Sequence, residues 1–340
     1  MNKICICGGG SLGHVVAGYI AAKKGVKTDI LTRKPSEWGK RLAIHTPKGD
    51  TLEATIGNVS NNAEIVKDAD IVLLCLPGYA IKEELQKISP YIKPGTYVGS
   101  IFSSTGFFFE AMNILPECIP LWGFQRVPFI ARTDRYGHSA KILGYKPSHN
   151  IAVARCDNNE KEQFAKKIEQ LFDAPVYLLN SHYEASFTNS NPILHPARLY
   201  SLFADWNETT YYSKQYLFYE EWNDNASQLL IEMDKELFAV LAKLPVAPNY
   251  LVPILEYYES TDAQSLTRKI NSIQGFKGIL TPMIESSKGW QPDLSSRYFQ
   301  EDFMYGLRYI YETAHKLEVS TPTIDRVYAW GCKLACLVGQ

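Results

Sequence analysis

The sequence predicts an α/β protein in two parts: a doubly wound parallel sheet, then an all-helical domain. Two observations carry this. As far as residue 179, short apolar runs alternate with segments of helical period, the pattern of βαβ units. Beyond about residue 182, apolar residues recur every three or four positions over long stretches, the mark of amphipathic helices. The expected division is 1–182 and 183–340, with the active site between the two parts. A chain of 340 residues is long enough for two cores.

Residues 3–7 (KICIC) read as a buried strand, with Cys5 and Cys7 on one face of it. Gly8, Gly10 and Gly13 follow in the spacing Gly-x-Gly-x-x-Gly, and 11–24 read as a helix closed by Gly25. Strand, glycine turn and helix in that order are the context of a dinucleotide-binding loop of Rossmann type. Gly8 allows the tight turn, Gly10 lets a pyrophosphate approach the backbone, and Gly13 lets the helix sit close to the strand. Gly8, Gly10, Ser11, Leu12 and Gly13 are therefore the expected cofactor contacts, at a helix N-terminus whose free N–H groups suit phosphate. The alternative is a glycine-rich turn that binds nothing.

Residues 26–31 read as the second strand. An NAD site has an acid about 20 residues past the glycines, for the ribose hydroxyl. Here the strand ends in Thr32-Arg33-Lys34, and Asp29 falls too early. Guanidinium and ammonium groups suit a 2′-phosphate, so NADP is expected, with NAD as the alternative. The plainer reading makes Arg33 and Lys34 solvated loop charges. Residues 42–56, interrupted by Pro47-Lys48-Gly49-Asp50, read as an inserted β-hairpin. A buried strand over 69–77 ends in a turn, and its Leu76 and Pro77 are assigned to the cofactor site. A helix over 79–88, strands over 96–102, 139–143 and 150–155, a helix over 160–172 and a strand over 176–179 complete this half. In the second half, 226–244, 297–317 and 323–338 read as helices. Thr321-Pro322 gives the last a good start, and prolines at 245, 248 and 253 suggest a bend.

Lys plus Arg total 35 and Asp plus Glu 36, a net charge of −1, so charge gives no reason to expect nucleic acid or an anionic membrane surface. Apolar runs are too short to span a bilayer, and the glycines from residue 8 interrupt any leader. Seven cysteines, odd in number and unpatterned, point to reduced thiols and a cytoplasmic protein. Cys332 and Cys336 stand one helical turn apart, but nothing completes a ligand set, and no metal is expected.

Three places carry candidate chemistry. In Asn189-Ser-Asn-Pro-Ile-Leu-His-Pro196, His195 precedes a proline that resists the helix, so a kink would aim its imidazole. The alternative is a core or capping histidine. Along 296–307, helical spacing puts Tyr298, Asp302, Tyr305 and Tyr309 on one face beside an apolar stripe. Asp302 there is a partner for the His195 ring, fixing its tautomer and stabilising its cation; the alternative is a salt bridge with Arg297 or Arg308. Arg126 and Arg132 follow a strand end, where either could hold a carboxylate or simply be a surface arginine. Tyr211, Tyr212, Tyr216 and Tyr219 suit a pocket lining, a homodimer contact or plain core.

Five segments in this order resemble the octopine/nopaline (opine) dehydrogenase family. They are the glycine loop; Pro-Phe-x-x-Arg at 128–132 before a hairpin containing Gly144; Asn-Pro-x-x-His-Pro at 191–196; Arg-Tyr-x-x-Glu-Asp-x-x-x-Gly-Leu at 297–307; and Val319-Ser-Thr-Pro-Thr-Ile-Asp325. The resemblance implies a helical domain like the C-terminal part of 6-phosphogluconate dehydrogenase. It also implies nicotinamide-dependent joining of a 2-oxo acid to the amino group of an amino acid, with reduction of the imine. On it, His195 is the acid/base, Asp302 its partner, Arg297 a clamp for the amino-acid carboxylate, and Arg132 and Asn191 further substrate contacts. Residues 208–290 show no match. Two rivals stand beside it. One is a reductase of a small oxo or hydroxy acid, like ketopantoate reductase or glycerol-3-phosphate dehydrogenase; those rely on a helical-domain lysine, and 186–206 contains none. The other is an NADP-binding regulatory protein without catalysis.

Overall fold

The computed structural model describes residues 2–338, and contacts divide them into two compact units, residues 1–188 and 189–340. In the first unit, twelve strands form two sheets. They are β1 (Asn2–Cys7), β2 (Val26–Leu31), β3 (Arg41–His45), β4 (Thr51–Thr55), β5 (Val59–Ser60), β6 (Ile71–Leu74), β7 (Tyr97–Ser100), β8 (Leu121–Phe124), β9 (Phe129–Arg135), β10 (Ser139–Tyr145), β11 (His149–Ala154) and β12 (Val176–Leu178). The larger sheet has the order β12-β11-β8-β7-β6-β1-β2-β5 and is parallel except where β11 runs against β8. The helices are α1 (Ser11–Ala21), α2 (Gly78–Ile88), α3 (Phe107–Ile114), α4 (Asn158–Phe172) and α5 (His182–Ser186).

The winding on both faces follows from strand alternation. Ile4 and Ile6 of β1 point into one core with Val15, Val16 and Ile20 of α1 and Phe164 and Ile168 of α4. Cys5 and Cys7 point into the other with Ile81 and Leu85 of α2 and Phe107 and Phe108 of α3. Both thiols are free and fully buried.

The expected hairpin is β3–β4. It belongs to a second sheet, β4-β3-β10-β9, in which β3 and β10 pair in parallel across nearly a hundred positions. Two strands are absent from the sequence reading: β5, which pairs in parallel with β2, and β9, which forms a hairpin with the following β10. The expected strand over 96–102 is shorter, because Phe102 caps a 3₁₀ turn over Ser103–Thr105.

The second unit contains α6 (Asn191–Phe203), α7 (Asp224–Leu241), α8 (Ile254–Tyr257), α9 (Ala263–Ser272), α10 (Arg297–Gln300), α11 (Arg308–Lys316) and α12 (Pro322–Val338). It also carries a hairpin the sequence reading did not include, β13 (Met283–Ser286) and β14 (Gly289–Pro292), whose turn ends in Gly289 at φ +124°. The helix α12 starts at Pro322 as expected. The expected continuous helix over 297–317 is instead α10, a π turn over Phe303–Leu307, and α11. The side chain of Cys336 lies outside the described residues.

Candidate active site

The glycine loop joins β1 to α1. Gly8 has φ +123°, and a Cβ there would lie 2.6 Å from the Cys75 carbonyl oxygen, so only glycine fits. A Cβ on Gly13 would run into the Gly8 carbonyl oxygen, which is why α1 can pack so close to β1. At Gly10 the outward side is open: a Cβ meets nothing within 4 Å. Gly10 is also the N-cap of α1 and offers the helix no side-chain acceptor. An open approach to bare helix N–H groups is the cradle a pyrophosphate needs, so the loop fits a dinucleotide. Ser11, at the head of α1, shares its hydroxyl with Thr133 Oγ1 at 3.1 Å, Leu12 packs partly into the core, and Leu76 lies against Gly8, followed by the exposed Pro77.

His14 carries no sequence signal. It is fully buried one turn into α1 and stacks on Trp38 at 4.2 Å. Its Nδ1 bonds the Gly10 carbonyl at 2.9 Å, and its Nε2 accepts the Gly137 N–H at 2.7 Å. That pair fixes the tautomer with the proton on Nδ1, and burial holds the ring below its ordinary pKa and neutral. His14 therefore holds the glycine loop in shape from behind.

At the end of β2, Thr32 is buried with its hydroxyl 3.3 Å from Tyr136 Oη. Lys34 pairs with Glu37 at 3.1 Å, whereas Arg33 is exposed. Asp29 has a structural post: it is fully buried, accepts the Asn58 N–H at 2.7 Å and faces Lys3 at 3.5 Å.

In the helical unit, His195 lies on α6, which is helical from Asn191 through Pro196 to Phe203. The expected resistance of a pre-proline residue to helix is overridden by packing. His195 is 6% exposed, and its Nδ1 lies 2.7 Å from Asp302 Oδ2, across 107 positions of sequence. Arg308 bonds Glu312 instead at 2.7 Å.

One contact explains how these two residues meet. A Cβ on Gly306 would lie 2.8 Å from Cγ of Pro192. Pro192 is one turn before His195, and Gly306 one turn after Asp302. The bare glycine lets the π turn press against α6, and the histidine–aspartate bond forms one turn further along. The π turn itself is sealed by an i→i+5 bond, the Leu307 N–H donating to the Asp302 carbonyl at 2.7 Å. The π turn breaks the constant helical period that put Tyr305 and Tyr309 on one face with Asp302; Tyr309 is buried at 3%.

Two tyrosines complete the group. Tyr219 is 6% exposed, and its hydroxyl meets His195 Nε2 at 2.9 Å. Tyr298 crosses the imidazole edge-on at 4.3 Å and stacks on Phe218 at 4.8 Å. Burial, reinforced by the negative charge on Asp302, holds both phenols above their ordinary pKa and neutral. The loop carrying Tyr219 is held by Arg198, fully buried one turn after His195 on α6. Its guanidinium donates to the carbonyls of Phe218 at 2.9 Å and Glu221 at 2.7 Å. Nothing in the sequence singled out Arg198. Its spacing of three from His195 was the available clue.

Among the described residues, none of the remaining candidates is a hydrogen-bond or ring partner of His195. Arg297 is exposed at the start of α10, and Asn191 is exposed at the start of α6. In the first unit, Arg132 is exposed on β9, bonding the Ala131 carbonyl at 3.0 Å, and Arg126 is exposed between β8 and β9.

Comparison with known proteins agrees with this layout. Residues 178–335 match the alpha-helical domain of the NAD/NADP octopine/nopaline dehydrogenases, and residues 4–102 match the ketopantoate reductase PanE/ApbA model. An octopine dehydrogenase from Mizuhopecten yessoensis is 26% identical over 96% of this chain and 88% of its own length. A solved octopine dehydrogenase with NADH and L-arginine superposes with a TM-score of 0.81 at 22% identity, covering 98% of this chain and 89% of that one. A yersinopine dehydrogenase with NADP+ gives 0.72 at 13% identity, covering 98% and 91%. The full-length likeness embraces the glycine loop, and the helical-domain match contains the His195–Asp302 pair; residues 178–335 belong to the alpha-helical domain family of the octopine/nopaline dehydrogenases.

Proposed function

We propose that this protein joins a 2-oxo acid to the amino group of an amino acid and reduces the imine to a secondary amine, reversibly, with NAD(P)H. The observation that carries this reading is the His195–Asp302 bond at 2.7 Å within the family's helical domain. When bound, the nicotinamide supplies the hydride. The chain's own residues manage position and protons. Asp302 accepts the Nδ1 proton of His195, so the neutral ring presents the lone pair of Nε2, and the carboxylate stabilises the cation when Nε2 is protonated. That suits the proton that the reacting nitrogen must gain or lose near neutral pH.

Gly8, Gly10, Ser11, Leu12, Gly13, Leu76 and Pro77 are the proposed holders of the dinucleotide. Thr32, Arg33 and Lys34 are proposed for a 2′-phosphate, and hence a preference for NADP over NAD. Arg33 carries most of that preference, since Lys34 is already paired with Glu37. Arg297, Arg132 and Asn191 are proposed as substrate contacts, the arginines for the two carboxylates. Residues 1–182 would serve the cofactor and 183–340 the substrate. No helix of the described residues is long and apolar enough to cross a membrane; the free thiols, Cys118 exposed among them, fit a cytoplasmic enzyme. A homodimer is proposed as its assembly, drawing on the exposed Tyr257 and Ile284 of the helical unit; light scattering tests it.

The decisive experiment supplies pooled 2-oxo acids and amino acids and follows NADPH and NADH oxidation. Turnover that needs both substrates and vanishes in His195→Ala supports the reading. Turnover with an oxo acid alone would replace it with a ketopantoate-reductase-like one.

A further inference from the structure

The Gly-x-Gly-x-x-Gly spacing leaves positions 9, 11 and 12 open, yet position 9 is glycine too. The structure gives the reason. A Cβ on Gly9 would run into the Tyr136 hydroxyl and lie 2.6 Å from Thr32 Oγ1. Those two oxygens are 3.3 Å apart. The glycine loop, the end of β2 and Tyr136 therefore converge on one point, although Tyr136 stands 104 positions beyond Thr32, in the turn between β9 and β10.

That turn is fixed to the loop on both sides of the tyrosine. Before it, the Thr133 N–H donates to Ser11 Oγ at 3.0 Å; after it, the Gly137 N–H donates to His14 Nε2 at 2.7 Å. The Tyr136 ring lies edge-on to His14 at 4.9 Å, and Lys34 Nζ stands over it, 5.6 Å from its centroid. Thr32 is 7% exposed, whereas Tyr136 is half-buried and open to a bound molecule.

In a glycine-loop fold the pyrophosphate lies over the loop, and the adenosine ribose reaches the end of the second strand. The Thr32–Tyr136 pair borders both places. Two hydroxyls bring two protons, and the bond between them uses one. The Lys34 N–H, 3.5 Å from Thr32 Oγ1, is a further donor. The pair therefore holds a spare proton and no carboxylate to receive one: Asp29 is buried against the Asn58 N–H and Lys3. A 2′-phosphate, all acceptors, matches such a site, whereas a ribose 2′-hydroxyl there lacks the acid that would take its proton. We propose that Tyr136 is a specificity residue that favours NADP over NAD: the buried Thr32 gives its proton to Tyr136 Oη, and Tyr136 gives its own to the 2′-phosphate. This rests on the cofactor reading given above. It makes the preference depend on the second sheet as well as on residues 32–34, and it accounts for Gly9, where any side chain would displace the phenol.

The test is Tyr136→Phe, which keeps the ring beside His14 and removes the oxygen, read by binding and not by turnover. NADPH and NADH are titrated by fluorescence. NADPH should weaken roughly tenfold, the share of one hydrogen bond to a charged acceptor, and NADH by less than about twofold. A second measurement needs no variant, and so decides the matter even should Tyr136→Phe fail to fold. In wild-type protein carrying ¹³Cζ-tyrosine, the Tyr136 signal should move on saturation with 2′,5′-ADP and stay near its free position on saturation with 5′-AMP. Equal weakening of NADPH and NADH makes Tyr136 a brace of the loop and overturns the proposal. Unchanged NADPH affinity, or a Tyr136 signal that answers both nucleotides alike, overturns it too. In each of those cases the wild type still binds NADPH and the proposed function stands. A wild type that prefers NADH overturns the proposal together with the NADP preference, and one that binds neither dinucleotide overturns the proposed function itself.

Discussion

Glycine does opposite jobs in the two units. Around Gly10 the missing side chain leaves empty space, held for something from outside. At Gly306 the missing side chain is already filled, by the ring of Pro192. The first unit builds its site from bare backbone, and a local motif is enough. The second builds its site from side chains on distant segments, so the fold must press two helices together before any site exists. One site is a vacancy shaped by turns, the other a contact shaped by packing.

His195→Ala tests the contact side of that comparison most severely. Turnover should fall by on the order of 10²–10⁴-fold while NADPH binding, measured by fluorescence, stays within twofold. A matching loss of NADPH affinity would mean the two sites are not built independently.

Paired glycine substitutions come next. Gly306→Ala pushes a methyl into Pro192; such overpacking costs about 1–3 kcal/mol, and the His195–Asp302 bond one turn away should loosen with it. Turnover and the melting temperature should drop together, with NADPH affinity unchanged. Gly13→Ala pushes against the Gly8 carbonyl and should do the converse, abolishing NADPH binding while amide exchange in α6 and α11 stays native. If both variants lose both properties, the comparison fails.

Acid should also treat the units differently. His14 is held neutral, and burial pushes His182 down to about 4. Unfolding lets both rise to the ordinary histidine value, so the unfolded chain binds more protons and stability is lost as pH falls below about 6.5. Asp234, on α7, is 7% exposed and pushed up to about 6 by burial. Its folded form holds the proton more tightly, so its contribution grows as pH falls from about 6 toward 4. Between pH 6.5 and 5 the first unit should lose on the order of 1–2 kcal/mol and the second should gain a smaller amount. Hydrogen exchange followed separately in α1 and α7 measures both; a parallel decline would contradict this assignment.

The smallest effect sharpens the cofactor reading. Arg33→Ala should weaken NADPH roughly tenfold, as expected for one exposed charge-assisted contact, and leave NADH nearly unchanged. Equal weakening of both would return Arg33 to the status of a solvated charge.

The difference between the units also governs what sequence reveals. The glycine loop lies within six positions, and its chemistry is local, so residues 8–13 announce their own geometry. The alternation through 179 likewise announces a doubly wound sheet. Strand β5, Val59–Ser60, escapes notice because so short a run is a strand only through its pairing with β2. In the helical unit, His195 and Asp302 were legible as candidates, but their bond depends on Pro192 meeting Gly306. The Asp-x-x-x-Gly spacing held that information in plain sight, without saying what the glycine touches. Tyr219 was visible as one of many tyrosines, with no pattern to set it apart from Tyr211 or Tyr216. His14 looked like an ordinary helical residue because its partners, the Gly10 carbonyl and the Gly137 N–H, are backbone atoms. The expected face of Tyr298, Asp302, Tyr305 and Tyr309 assumed a constant 3.6-residue period, and a π turn has no clear sequence signature.

That π turn makes one helical stretch answer to two clocks. In an uninterrupted helix, every residue's bearing fixes every other's, about 100° apart per step. Before the turn, the bearing is set by the need to aim Tyr298 and Asp302 at His195. After it, the bearing is set by Tyr309, Ile310, Thr313 and Ala314, which face inward. The five residues between them absorb the mismatch. Drift in the downstream stripe can therefore accumulate without turning the aspartate off its target, and deletion of a single residue from 303–307 would force both halves onto one bearing that cannot serve them both.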